Sequence, residues 1–205
     1  MKRPSLSTKP TNGVGTLVLD TETNGLLRNA TRIHCVALYW AKEDRTETFN
    51  DEPYAKNPKD LPMAGGAGYS ITNAINWISM ADIVVGHNII GFDLPLIKRL
   101  YPFFTYPPII VDTLLLSRLY HPNLYDIDTK YPKRKKQGFK TIPKNLQGSH
   151  SLEAYGHRLG ELKGDYGKTT DWSEWSQEME DYCVQDVVVT KKLCDHFHPF
   201  LIGLD

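Results

Sequence analysis

Asp20 and Glu22 stand two residues apart at the end of an apolar run, Gly15-Thr-Leu-Val-Leu19. The run reads as a buried strand over residues 14–20. On a strand, residues i and i+2 project to the same face, so the two carboxylates lie side by side. Two anions this close repel, and each is costly to desolvate. A cation between them removes both penalties, and an all-oxygen donor set suits Mg²⁺ or Mn²⁺. A second signal is Tyr182-Cys-Val-Gln-Asp186, where the i,i+4 spacing puts phenol and carboxylate on one helical face. The apolar Val187, Val188 and Val189 that follow imply a segment packed into the core, where a carboxylate needs a partner. Either a metal or a Tyr–Asp hydrogen bond within the fold supplies it. The third is Asp93, which closes Val84-Val-Gly-His-Asn-Ile-Ile-Gly-Phe-Asp93. By itself Asp93 reads as a helix N-cap, and His87 as a structural histidine.

These residues require particular elements to hold them. Strands are expected over residues 14–20, 32–41 and 46–50 as a meander, followed by a Pro/Gly/Lys-rich loop over 51–70. Apolar positions at Ile71, Ala74, Ile75 and Ile78 give helical spacing over 71–81. A short buried strand over 83–86 leads to a helix over 93–101, with Pro95 tolerated in its first turn. Residues 109–111 form a further strand, and Asp112 caps a helix through Tyr120. Residues 122–147 carry Lys130, Lys133, Arg134, Lys135, Lys136, Lys140 and Lys144 and read as one long basic loop. Helices over 149–159, capped by Ser149 or Ser151, and over 173–196, capped by Ser173 or Ser176, complete the chain. Three strands, a helix, a strand and then helices indicate an α/β fold with a mixed sheet in one domain, residues 14–205.

The 205 residues suffice for one sizeable core, and 40% are hydrophobic, an ordinary globular share. Lys+Arg and Asp+Glu are both 24, so net charge neither supports nor excludes a polyanionic partner. Cys35, Cys183 and Cys194 are odd in number and lack paired spacing. That argues against a disulfide scaffold or zinc cluster and favours an intracellular, reducing compartment. No apolar stretch approaches membrane-spanning length, and no membrane partner is expected. Residues 1–13 lack an apolar signal core and read as a flexible leader.

In combination the three motifs carry more than each alone. Asp-x-Glu after a first strand, Asn88-x₄-Asp93 after a later one and Tyr182-x₃-Asp186 on the last helix occur in that order. Together they resemble the DEDDy branch of the DnaQ-like 3′–5′ exonucleases. Four stretches are similar to the proofreading domain of family-A DNA polymerases, in particular those of podovirus (T-seven-like) phages. They are Asp20-Thr-Glu-Thr-Asn-Gly-Leu26, Asp112-Thr-Leu-Leu-Leu-Ser-Arg-Leu-Tyr-His121, Gly148-Ser-His-Ser-Leu-Glu-Ala-Tyr-Gly-His-Arg-Leu-Gly160 and Met179-Glu-Asp-Tyr-Cys-Val-Gln-Asp-Val-Val-Val-Thr190. The likeness runs from about Thr16 to Pro199.

The resemblance implies a ribonuclease H-like fold, a mixed central sheet flanked by helices. It also implies a metal-dependent 3′–5′ exonuclease that releases nucleoside 5′-monophosphates from DNA 3′ ends. By the same resemblance Asp20, Glu22 and Asp186 hold one of two divalent ions, Mg²⁺ or Mn²⁺. Asp20 also bridges to the second, which Asp93 helps place. Tyr182 orients the attacking water, since a phenol with a pKa of about 10 is a poor general base. The backbone N–H of Thr23 meets the 3′ hydroxyl, Leu26 wedges against the terminal bases, Asn88 contacts the backbone and Phe92 stacks. For Leu26 and Phe92, ordinary core packing is the competing expectation. Lys133, Arg134, Lys135 and Lys136 are expected to meet phosphates of single-stranded DNA or a frayed 3′ end, against the alternative of a solvated loop. In the resembling polymerases a large polymerase module follows this domain, whereas here the sequence stops shortly after Pro199. The expectation is a free-standing exonuclease, a proofreading subunit serving a separate DNA polymerase, or an excised domain. The alternatives are an RNA-trimming exoribonuclease of the same superfamily and a non-catalytic replisome adaptor. The retention of all four carboxylates and Tyr182 argues against the adaptor.

Overall fold

A computed structural model describes residues 14–52, 69–130, 142–162 and 171–201. The elements are β1 (Thr16–Thr23), β2 (Ile33–Trp40), β3 (Arg45–Asn50), α1 (Ile71–Met80), β4 (Ile83–Gly86), α2 (Asp93–Leu100), β5 (Ile109–Asp112), α3 (Thr113–Tyr120), α4 (Leu124–Lys130), α5 (Leu152–Leu159) and α6 (Gln177–Phe197). The strands form one sheet in the order β3-β2-β1-β4-β5. β1 pairs antiparallel with β2 and parallel with β4; β2–β3 is antiparallel and β4–β5 parallel. The mixed α/β architecture expected from the sequence is therefore the one observed.

The pleat divides the core in two. Leu17 and Leu19 of β1 and Val36, Leu38 and Trp40 of β2 face α1 and α2, meeting Ile71, Ile75, Ile78, Leu94 and Ile97. Val18, Cys35, Ala37 and Tyr39 face the other way, onto Met179, Cys183 and Val187 of α6. Farther along, Val189, Leu193 and Phe197 of α6 pack with Leu124, Leu152 and Tyr155. Each large apolar side chain so buried contributes about 1.5–3 kcal/mol. Helix starts follow the expected chemistry: Ser70, Asp112, Ser151 and Ser176 accept amide hydrogen bonds from the first turns of α1, α3, α5 and α6.

Two expectations change. β1 runs on to Thr23, so Asp20 and Glu22 lie within the strand's last turns of pleat and not beyond it. Residues 122–147 are not one basic loop, because α4 occupies Leu124–Lys130 and a short 3₁₀ turn occupies Lys144–Leu146. α4 forms because Leu124 is buried, Lys130 pairs with Asp126 one turn back, and Asp128 meets Arg158 of α5. The cluster Lys133, Arg134, Lys135 and Lys136 lies outside the described residues, as does the expected leader over 1–13. No described helix is long and apolar enough to cross a membrane.

Candidate active site

Even-numbered β1 residues point to the α6 side, following Val18, so Asp20 and Glu22 share that face as the sequence spacing requires. Their carboxylate oxygens and Cys183 Sγ all lie within 4.8 Å of one another. Cys183 belongs to α6, and its thiol donates to the Asp20 backbone carbonyl at 3.4 Å and to Asp20 Oδ2 at 3.7 Å. Burial pushes the thiol pKa well above its usual value, and neighbouring Cys35, Asp20 and Glu22 add to the shift. Cys183 is therefore a protonated donor against β1 and not a thiolate ligand for a hard cation. Nothing in its sequence context singled it out, because the contact spans 163 residues of chain.

Asp186 lies one turn beyond Cys183 on the buried side of α6. Tyr182 is half-buried beside it, with its ring edge-on to Trp172 at 6.2 Å between centroids. The helix rotation that sets both is fixed at its N-terminal end by Glu180. That carboxylate accepts from Thr48 Oγ1, from Asn50 Nδ2 at 2.7 Å and from Trp175 Nε1 at 3.1 Å.

Asp93 reaches the same end of β1 from the opposite face. It is the first residue of α2, and its Oδ1 accepts a 2.6 Å hydrogen bond from Thr21, the residue between Asp20 and Glu22. Its side chain is buried, and desolvation raises its pKa to about 7 despite the Thr21 bond. Thus Asp20 and Glu22 cluster on the β1 face that α6 covers, Asp186 is buried on α6 one turn beyond the Cys183 contact, and Asp93 is tied to the intervening Thr21. Asp20 and Glu22, two clustered carboxylates, are a hard-oxygen pair that fits Mg²⁺ or Mn²⁺.

The Asp93 shift has a measurable consequence. A carboxyl with a raised folded-state pKa binds a proton in the native chain that the unfolded chain has released, so stability falls with rising pH between about 4 and 7. Burial lowers the pKa of His34, His121, His150 and His196, which opposes this trend at acid pH but cancels in a comparison with Asp93→Asn. Relative to that variant, the metal-free wild-type protein should lose melting temperature from pH 4 to 7 and track it above about 7.5. Parallel curves across the whole range would refute the shift.

The remaining expected contact residues sit around the same strand end. Thr23 is buried, with its hydroxyl donating to the Gly25 carbonyl at 2.9 Å. Leu26 is 79% exposed, which removes the core-packing expectation for it. Its turn is clamped: Asn24 Oδ1 accepts from the amides of Thr31 and Arg32, and the Leu26 carbonyl accepts from those of Asn29 and Ala30. Phe92 is half-buried and packs onto the α1–α2 core, closer to the packing expectation. Asn88 is exposed in a left-handed conformation, φ 62°, in a turn pinned by Asp112. Besides capping α3, Asp112 accepts from the Asn88 and Ile90 amides at 3.0 and 3.2 Å. His87 is structural, with Nδ1 2.9 Å from Thr113 Oγ1, which itself donates to the Gly86 carbonyl.

Residues 17–198 match the RNase H superfamily. The chain belongs to that superfamily. This RNase H-like chain is 34% identical over 200 residues to the DNA-directed DNA polymerase of Enterobacteria phage T3 and 33% identical to that of Escherichia phage T7. Each match covers 87% of this chain and 26% of the relative, so the RNase H-like chain spans about a quarter of the length of these polymerases. Among solved structures, Brucella melitensis NrnC aligns with a TM-score of 0.57 at 16% identity, covering 92% of this chain and 74% of that one. The Aedes aegypti Nibbler EXO domain aligns at 0.55 and 11% identity, covering 92% and 82%. At such identities these structures speak for the fold. Family, relatives and fold together agree with the DnaQ-like exonuclease resemblance drawn from the motifs, and place the chain in a nuclease superfamily.

Proposed function

We propose that this chain is a 3′–5′ exodeoxyribonuclease of the DEDDy type that uses two divalent ions. The observation that carries the reading is the clustering of Asp20 and Glu22 on the one β1 face that α6 covers with its Tyr182–Asp186 turn. Asp20, Glu22 and Asp186 would hold the first ion, Asp20 and Asp93 the second. When bound, such ions lower the pKa of water and offset charge on the scissile phosphate and leaving oxygen. Tyr182 orients the attacking water through its hydroxyl, the Thr23 amide meets the 3′ hydroxyl, and Asn88 and Phe92 steady the terminal nucleotide. DNA is favoured as substrate because the curated relatives are DNA polymerases. A separate DNA polymerase as partner, and action inside a bacterial cell, belong to the same proposal.

The test is a 5′-labelled single-stranded DNA oligonucleotide, and its RNA counterpart, incubated with Mg²⁺ or Mn²⁺. Shortening from the 3′ end, faster for DNA, is expected. No shortening in either metal defeats the enzyme, and faster RNA trimming reverses the substrate. Leu26, apolar and presented on a clamped turn, is the wedge that keeps the terminal bases apart. Leu26→Ala should slow trimming of paired ends about tenfold while changing single-stranded trimming less than about twofold. Equal effects on both substrates would remove the wedge. Neutralising Lys133, Arg134, Lys135 and Lys136 together should raise KM for DNA and reduce its salt dependence. An unchanged salt slope in a steady-state titration would exclude them from the DNA path.

A further inference from the structure

We propose that Trp172 is a positioning residue for Tyr182 and that His34 of β2 holds Trp172 in place; this rests on the proposed role of Tyr182. The inference begins at an irregularity in the sheet. In the β1–β2 ladder Glu22 opposes Cys35, yet the next β1 residue, Thr23, opposes Ile33, so His34 is the extra residue of a bulge. A bulge re-aims side chains, and here it breaks the alternation of β2. Ile33 joins Val36, Leu38 and Trp40 on the α1–α2 side, although strict alternation would place it with Cys35.

His34 is fully buried and turns to the segment before α6, its Nε2 lying 3.1 Å from the Trp172 carbonyl oxygen. A carbonyl only accepts, so Nε2 carries the proton. Nδ1 is buried and has no hydrogen-bond partner among the described residues. His34 thus spends its single donor on one backbone atom far along the chain. The Trp172 ring stands edge-on to Tyr182, at an interplanar angle of 71°, and packs against the α6-side core. The rest of this short segment is fastened as well. Asp171 accepts from the Ser173 amide at 2.9 Å, Trp175 donates to Glu180, and Ser176 caps α6. Trp172 consequently has little freedom to leave, and its edge limits where the Tyr182 ring can lie. A phenol that orients water acts only from a narrow set of ring positions. The bulge beside Glu22 therefore sets both a carboxylate and, through His34 and Trp172, the hydroxyl that must work with it.

The experiment pairs kinetics with a readout that does not need turnover. With ¹³C-labelled tyrosine, the Tyr182 ring signals, assigned by Tyr182→Phe, should shift in Trp172→Leu and in His34→Ala. They should stay in place in His34→Gln, whose amide can still donate to the Trp172 carbonyl. Trp172→Leu should lower kcat about three- to tenfold, with KM for single-stranded DNA and the Mn²⁺ affinity within about twofold of wild type. The double variant Trp172→Leu/Tyr182→Phe should be no slower than Tyr182→Phe alone, because the two residues act as one unit. Unmoved Tyr182 signals, or multiplicative losses in the double variant, overturn the inference. If Tyr182→Phe alone trims as fast as wild type while the ring signals do shift, the water-orienting role fails and the positioning contact stands.

Discussion

Asp20→Asn should abolish the proposed trimming, by at least about 10³-fold in kcat, while the protein stays folded and still binds single-stranded DNA. The substitution keeps shape and removes one negative charge from the pair at the end of β1. With an effective dielectric of about 20, two carboxylates within 4.8 Å repel by at least about 3.5 kcal/mol, so the metal-free variant should melt no lower than wild type and even above it. The same change removes the donor assigned to both ions, and a loss of about 4 kcal/mol in transition-state stabilisation corresponds to the stated factor. Mn²⁺ should raise the melting temperature of wild type and not of the variant. Gel shortening assays and thermal melts with and without Mn²⁺ check all three outcomes. Retained cleavage would remove Asp20 from the site. A collapsed fold would show that its role is structural.

Asp128→Ala should destabilise the fold by about 3–5 kcal/mol, read by urea denaturation, with trimming by the remaining folded protein unchanged. Arg158 is fully buried, and Asp128 receives its Nε at 3.1 Å and its Nη2 at 2.7 Å. Arg158 Nη1 also donates to the Ser149 carbonyl, the guanidinium lies over the Tyr155 ring, and the Gly148 amide donates to Asp128 Oδ2. Removing the carboxylate leaves a cation without its counter-charge in the core, which is why the cost exceeds that of an exposed pair. Replacing both partners by apolar residues, Asp128→Leu with Arg158→Met, should recover much of the loss, since a buried pair offers little net stabilisation over good packing. A loss below about 1 kcal/mol for the single substitution would mean that water reaches Arg158.

What sequence reading could see follows from how local the determinants are. The pairing of Asp20 with Glu22 needs only the two-residue period of a strand, and the Tyr182–Asp186 turn only the helical period. The buried positions of α1 and the serine caps of α5 and α6 are local in the same way. α4 was hidden because its surroundings are basic and proline-rich. Its anchor, Asp128, acquires meaning only from Arg158, thirty residues away. Leu26 could not be assigned from type alone, since a leucine after a strand packs inward in most folds and this one does not. Asp93 read as a cap, yet the residue that holds it is Thr21, 72 residues earlier. His34 was unreadable for a different reason: a bulge changes the face of one residue without changing any pattern in its neighbours.

β1 has a neighbour on each side, β2 along its length and β4 along its first half, and α6 lies across it. Peptide hydrogens on such a strand exchange with solvent only when most of the molecule opens. Asp20 and Glu22 follow closely on the doubly paired Leu17 and Val18 and stay paired with β2, whereas Leu26 and its turn sit on a peripheral excursion between β1 and β2. If Leu26 grips a strand end as proposed, that grip should soften, through heat or mutation, before the scaffold proposed for its cleavage does. Loss of discrimination between paired and frayed ends should therefore precede loss of hydrolysis as the protein is warmed.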